Sequence, residues 1–207
     1  MLRREANVKV IVVAASSKKA GKSMLAAYLV RELGAKQALK VSAGGIHPGK
    51  EAIVTDAREL SRAGTDTGAL LAAGATSVAW VNTSSEELGS ALAKALTSFP
   101  KDGILIVEGN SALQHLVPDF TVFLMAVPLE GFKPSASAAL ERADLVLVDR
   151  SGPLGEVDLG ELKKEIRARA PRAEHIFYRA PRDYDLTFKE AAIEARLALG
   201  LGPAEKQ

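Results

Sequence analysis

The sequence has no cysteine, which excludes a disulfide framework, thiolate metal sites and a cysteine nucleophile. It has no excess of one charge: 27 basic against 25 acidic residues leave a formal net charge of +2. A nucleic-acid binder must neutralise many phosphates and carries a basic surplus to do so, so no nucleic-acid partner is expected. Nor is there a long hydrophobic run. The longest, residues 120–129, is half of the roughly 20 residues that cross a bilayer, and no membrane association is expected. Arg3 and Arg4 precede an apolar stretch at 8–15, but that stretch meets Ser16-Ser17-Lys18-Lys19 rather than a small-residue cleavage pattern. A secretory leader is therefore not expected, and a cytoplasmic location is. Asparagine, glutamine and methionine occur three times each.

What the chain does have is a globular composition, 47% apolar and 25% charged over 207 residues. That length predicts one domain spanning 1–207, with enough buried surface to dispense with disulfides or a structural metal. Short Val/Ile/Leu runs at 8–15, 38–42, 77–81, 104–107, 121–127, 145–148 and 175–178 read as strands. Between them lie Ala/Leu/Glu/Lys segments at 22–33, 66–73, 85–98, 135–142, 159–170 and 188–199 that read as helices. Gly34 is placed to stop the first helix, Thr65 or Asp66 to cap the second, and Ser-Ser-Glu-Glu at 84–87 to open the third. Strands with unbroken apolar runs are covered on both faces, so the predicted class is α/β: three layers, α/β/α, around a mostly parallel sheet. Residues 43–64 read as a loop-rich insertion.

The most informative stretch follows the first strand and opens the first helix: Ser16-Ser17-Lys18-Lys19-Ala20-Gly21-Lys22-Ser23. It fits the phosphate-loop pattern G-x-x-x-x-G-K-[ST] at every fixed position but the first, where Ser16 stands for glycine. Small residues let successive backbone N–H groups turn inward around phosphate oxygens, and the helix start adds its positive dipole end. Lys22 supplies a cation to the outer phosphates, and Ser23 offers a hydroxyl to Mg²⁺. All eight residues are nucleotide-binding candidates in a P-loop NTPase.

A second hydrophobic strand ends in Val107-Glu108-Gly109-Asn110. An acid at the carboxyl end of a buried parallel strand lies where ligands bind in such sheets, and Glu108 is the candidate to hold Mg²⁺ or orient the attacking water. Asp66 is a further candidate near the metal. Asp149-Arg150, after the strand at 145–148, is the candidate base reader: Asp149 can accept from a guanine edge and Arg150 can stack on the base. GTP or ATP thus remains open, with GTP favoured. Lys40 is an unusual charge for a buried strand and reads as ligand-facing. The three histidines, His47, His115 and His175, are not at ligand spacing, so no transition-metal site is expected. His47, in a glycine-rich loop, is a candidate ligand contact. The basic stretch 163–182 reads as a solvated face.

The segment Ser16-Ser17-Lys18-x-x-Gly21-Lys22-Ser23 resembles the nucleotide-binding protein of molybdopterin-guanine dinucleotide biosynthesis, as do Asp66-Thr67 followed by Ala73-Gly74-Ala75, and Glu108-Gly109. The likeness covers about residues 8–110. The second half, through Glu108-Gly109-Asn110, Pro118-Asp119-Phe120, Phe132-Lys133-Pro134 and residues 143–148, is similar to the GTPases that help insert nickel into urease and hydrogenase. Those carry metal on Cys and His, and this chain has no cysteine. Both groups belong to a dimeric P-loop class, which implies a homodimer, nucleotide near the subunit interface, Lys18 reaching a phosphate, and a molybdenum-cofactor enzyme or biosynthetic protein as partner. The resemblance implies a slow Mg²⁺-dependent NTPase. A nucleotide-switched adaptor and a small-metabolite kinase of the dethiobiotin-synthetase type remain alternatives.

The scarcity of asparagine, glutamine, methionine and cysteine accompanies heat resistance in some proteins, although alanine-rich coding also yields it. On the first reading, calorimetry is expected to give an unfolding midpoint above about 60 °C, beyond the ordinary mesophile range; a lower midpoint leaves the coding explanation.

Overall fold

Strands built from continuous Val, Ile and Leu must bury both of their faces, and alternation sends neighbouring side chains to opposite sides of the sheet. In the computed structural model, which describes residues 7–18, 20–44, 52–126, 131–149, 158–179 and 184–202, this happens along every central strand. The elements in chain order are β1 (Asn7–Ala15), α1 (Lys22–Leu33), β2 (Gln37–Ser42), β3 (Ile53–Val54), α2 (Ala57–Leu60), α3 (Asp66–Ala72), β4 (Ser77–Asn82) and α4 (Leu88–Leu96). Then come β5 (Asp102–Glu108), a 3₁₀ turn (Asn110–Gln114), β6 (Phe120–Ala126), α5 (Pro134–Leu140), β7 (Leu145–Asp149), α6 (Leu159–Arg169), β8 (His175–Arg179) and α7 (Tyr184–Ala198).

Among the described residues, eight strands form one sheet in the order β3-β4-β2-β5-β1-β6-β7-β8, and of these only β3, on the β4 edge, runs antiparallel. Val10, Val12, Leu39, Val41, Leu105 and Val107 point to one side and pack with Leu88 and Leu92 of α4, Leu140 of α5 and Ile166 of α6. Their sequence neighbours Ile11, Val13, Ala38 and Ile106 point to the other, against Leu25 and Leu29 of α1, Leu70 of α3 and Phe188 of α7. The result is the expected three-layer α/β/α arrangement. No helix among the described residues is long and apolar enough to cross a membrane. Residues 127–129 of the longest apolar run lie outside the described residues, as do Arg3 and Arg4.

Helix α1 occupies the predicted residues and ends at Gly34 in the left-handed region, φ 62°. Thr65 caps α3, its hydroxyl accepting from the Gly68 N–H. The expected capping segment at 84–87 forms a turn instead, and α4 begins at Leu88. There the Ser84 hydroxyl accepts from the Glu87 N–H and the Thr83 hydroxyl donates to the Glu87 carboxylate, so these side chains fold on each other before the helix starts. Within 43–64, expected as loop, β3 and α2 are ordered elements, and Asp56 caps α2 by accepting from the Glu59 N–H.

The carboxyl end of β1 is clamped on both sides. The Asn110 side chain accepts from the Ala15 N–H at 2.9 Å and donates to the Ala15 carbonyl at 2.8 Å, extending the β1–β5 ladder through an amide side chain. Toward β6, Ser16 donates its N–H to the Leu124 carbonyl, and its hydroxyl accepts from the Ala126 N–H. Between these clamps Gly109 adopts φ 141° and passes under β2, where an added Cβ would lie 2.5 Å from the Val41 carbonyl oxygen. That conformation and that proximity admit only glycine.

Gly109→Ala is therefore expected to lower the unfolding free energy by about 3 kcal/mol, combining backbone strain of roughly 1–3 kcal/mol with a backbone clash. Urea denaturation measures it, and an unchanged midpoint contradicts the packing account.

Candidate functional site

β1 delivers the chain into the loop at Ser16, and Gly21 (φ 95°) turns it into α1. No side chain caps this helix and its first turn has no acidic residue. The first-turn N–H groups thus keep the positive end of the helix dipole available to an anion. The Lys22 ammonium bends back and donates to the Ser17 carbonyl at 3.3 Å. Burial lowers the Lys22 pKa from its ordinary value, reinforced by the Lys40 charge and opposed by Glu108 and Asp66.

Ser23 is the second residue of α1. Its hydroxyl lies 2.5 Å from Asp66 Oδ1 at the start of α3 and 3.1 Å from Glu108 Oε1 at the end of β5. Beneath them the strand register lines up one row across the sheet, from Val13 of β1 to Glu108, then Lys40 of β2, then Trp80 of β4. Glu108 is 1% exposed, and Lys40 sits beside it with its Nζ 2.6 Å from Glu108 Oε1 and 2.5 Å from Asp66 Oδ2. Burial alone would lower the Lys40 pKa, but the Glu108 and Asp66 carboxylates outweigh it and hold it above the ordinary lysine value. For Asp66, burial acts upward and is outweighed by the hydrogen bonds from Lys40 and Ser23, leaving a lowered pKa. The second Glu108 oxygen, Oε2, is buried and has no hydrogen-bond partner among the described residues.

These groups face an open cleft of about 780 Å³, bounded by the loop and α1 on one side and by residues 59–67 on the other, with Trp80 in its floor. Lys18 lines it and is exposed; Ser17 is exposed, while Ser16 and Ala20 are buried. The structure thus brings Lys18, Gly21, Lys22, Ser23, Asp66 and Glu108 together. Asp149 is not among them: it ends β7, two strands beyond β1 on the opposite side from β5. Lys19, Arg150 and His47 lie outside the described residues. His175 is paired with Glu194 at 3.2 Å, and His115 packs against Gly89, both away from the cleft.

Sequence reasoning missed Asn110, Ser42, Arg62 and Trp80. The local signals for the ion cluster were the acid Glu108 at the end of an apolar strand and the charge of Lys40 within another. Nothing local in SVAWVN marks Trp80, whose place follows from pairing with β2.

Removing one member of a buried ion pair leaves the other charge uncompensated, at roughly 3–5 kcal/mol. Lys40→Met is expected to destabilise the chain by about 3 kcal/mol at neutral pH, with part recovered when Glu108→Gln is added; a double-mutant cycle with no coupling energy contradicts the pairing. The signs of the pKa shifts set the pH windows. The Asp66 contribution is present above pH 3.8 and lost as pH falls through its lowered folded value. That of Lys40 is present below pH 10.5 and lost as pH rises through its raised folded value.

No family model matches the sequence, and no curated protein matches it. Solved structures do. HypB from Helicobacter pylori, in complex with nickel, is 15% identical, over 97% of this chain and 92% of that one, with a TM-score of 0.55. The hydrogenase maturation factor HypB from Archaeoglobus fulgidus is 16% identical, over 93% and 90%, with a TM-score of 0.58. At such identity the likeness is one of fold, and the fold is that of the P-loop NTPases.

Proposed function

We propose that this chain is a slow, Mg²⁺-dependent NTPase, with GTP preferred, that assists assembly of a metal cofactor. The observation carrying this reading is the buried, unpartnered Oε2 of Glu108 beside the Ser23 hydroxyl at an uncapped helix start. A buried carboxylate oxygen without a donor is costly, and a hydrated cation or water satisfies it. Ser23, Asp66 and Glu108 fit Mg²⁺, which takes one or two carboxylates, a hydroxyl, water and substrate phosphate oxygens. Among the described residues, no group of three or more His, Cys, Asp or Glu that could hold a metal forms, so phosphate and water would complete the shell. When bound, the ion would neutralise charge on the phosphate oxygens.

The chain's own groups do the rest. The loop N–H groups and Lys22 hold the polyphosphate and stabilise charge gained by its terminal oxygens as the phosphoryl group leaves. The lowered Lys22 pKa marks a partly desolvated ammonium, which interacts with phosphate more strongly than one in open water. Glu108 Oε2 can accept from a water and orient it toward the outer phosphate. The preference for GTP rests on the sequence position of Asp149-Arg150, Asp149 standing at the end of β7. Assistance to molybdenum-cofactor biosynthesis, with an enzyme of that cofactor as partner, rests on the motif resemblance in residues 8–110. The likeness in fold to HypB, a hydrogenase maturation factor by name, supports metallocentre assembly more broadly. Homodimerisation around nucleotide would bring the exposed Lys18 within reach of a phosphate.

Calorimetric titration with GTP, ATP and their diphosphates in Mg²⁺ tests the reading. Lys22→Ala is expected to weaken Mg²⁺·GTP binding about 10- to 100-fold, the worth of a charge-assisted hydrogen bond, and to abolish phosphate release. Asp149→Asn should narrow the preference for GTP over ATP. Tight binding without turnover favours the adaptor alternative, and failure to bind either nucleotide defeats the proposal.

A further inference from the structure

Alternation along β2 and β5 decides which side chains can meet. Leu39, Val41 and Val107 face α4 and α5, so Lys40 and Glu108 face the other layer, where Ser23 and Asp66 lie in the first turns of α1 and α3. Parallel pairing sets Lys40 directly opposite Glu108. The four side chains close a ring. The Lys40 ammonium donates to Glu108 Oε1 at 2.6 Å and lies 2.5 Å from Asp66 Oδ2. The Ser23 hydroxyl lies 2.5 Å from Asp66 Oδ1 and 3.1 Å from Glu108 Oε1. One ammonium thus engages both carboxylates, and the groups that fit a divalent cation are the groups Lys40 already holds. The oxygen left over is Glu108 Oε2, buried in a side chain that is 1% exposed and without a partner among the described residues.

A divalent cation and this ammonium compete for the same oxygens. A cation sharing them with Lys40 meets its charge at close range, in a partly buried site where water screens the repulsion poorly. A bare cation brings nothing to compensate the ammonium it displaces. One that arrives on a polyphosphate does, because the phosphate oxygens carry negative charge of their own and accept strong hydrogen bonds from an ammonium.

We propose that Lys40 is a positioning residue that stands in for the divalent cation: in the empty site its ammonium holds Asp66 and Glu108 together and excludes the bare ion, which enters only with a polyphosphate. The inference rests on the reading of Ser23, Asp66 and Glu108 as the ligands of the cation, and it adds the order of entry. A purely structural counter-ion behaves differently: its removal lowers stability and leaves metal affinity unchanged or weaker.

Mn²⁺, followed by the paramagnetic resonance of the free ion, is titrated into the nucleotide-free, full-length chain. The wild-type chain is expected to show no saturable site tighter than about 1 mM. Lys40→Met should create one at least about tenfold tighter, and adding Asp66→Asn should remove it. Lys40→Arg keeps the charge and should bind as weakly as the wild-type chain. Lys40→Gln removes the charge but keeps an amide donor for the carboxylates, and it decides the question if the Met variant does not fold. On neutralisation of Lys40, the affinity for Mn²⁺·ADP should rise by a smaller factor than that for the bare ion. The proposal is overturned by a nucleotide-free wild-type site tighter than about 1 mM, or by folded neutral variants that bind Mn²⁺ no better than the wild-type chain. An Arg variant that binds as tightly as the neutral ones, or equal gains for the bare ion and Mn²⁺·ADP, also overturns it. Failure of Mn²⁺·ADP to bind any form defeats the nucleotide reading and with it the order of entry, while the nucleotide-free titrations still decide whether Lys40 excludes the bare ion.

Discussion

A carboxylate at the centre of a sheet must be neutralised where it stands. Glu108, 1% exposed at the end of β5, carries a desolvation cost of several kcal/mol as a lone ion. Lys40 from the adjacent strand and Ser23 from α1 offset it, and Asp66 from α3 joins the same ammonium and the same hydroxyl. Two strands and two helices are thereby held to one charged point, directly below the loop. The geometry of the loop's far end, from Gly21 to Ser23, is inseparable from that compensation.

The loop's near end depends on hydrogen bonds instead of charge. Ser16 stands where the phosphate-loop pattern has glycine, and it uses the hydroxyl that glycine lacks: this accepts from the Ala126 N–H of β6, beside the backbone bond from the Ser16 N–H to the Leu124 carbonyl. Asn110 does the corresponding work on the β5 side with both atoms of its amide. A loop fastened by side chains at its root and by an ion cluster at its tip is preorganised, so little ordering cost remains for an anion that enters it. Sheet order then divides the surroundings. The β6–β7 side carries Asp149, and the β2–β4 side carries Trp80, which lines the cleft.

Local pattern made much of the fold legible. The apolar face of α1 and its terminal Gly34 define that helix to the residue, and the buried strands fall within one or two residues of their apolar runs because water exclusion on both faces demands such runs. The misses share a cause. A two-residue strand and a four-residue helix are too short to show a period, so β3 and α2 were hidden in a stretch that reads as loop. The polar residues 83–87 look like a helix start, yet their side chains satisfy each other in a turn.

The candidate site divides along the same line. Residues 16–23 are contiguous, and their chemistry follows from spacing along the chain, since consecutive amides and a following helix suffice to make an anion cradle. Glu108 was legible as an acid ending an apolar strand, and Lys40 as a charge out of place in one. That these two meet, 68 residues apart, with Trp80 in the same row, was decided by the parallel register of β2 against β5 and β4, and Asp66 is brought to them by the start of α3. A strand's sequence determines which faces it must bury, but its partner and their alignment depend on how every other strand is covered, and only the folded sheet contains that information.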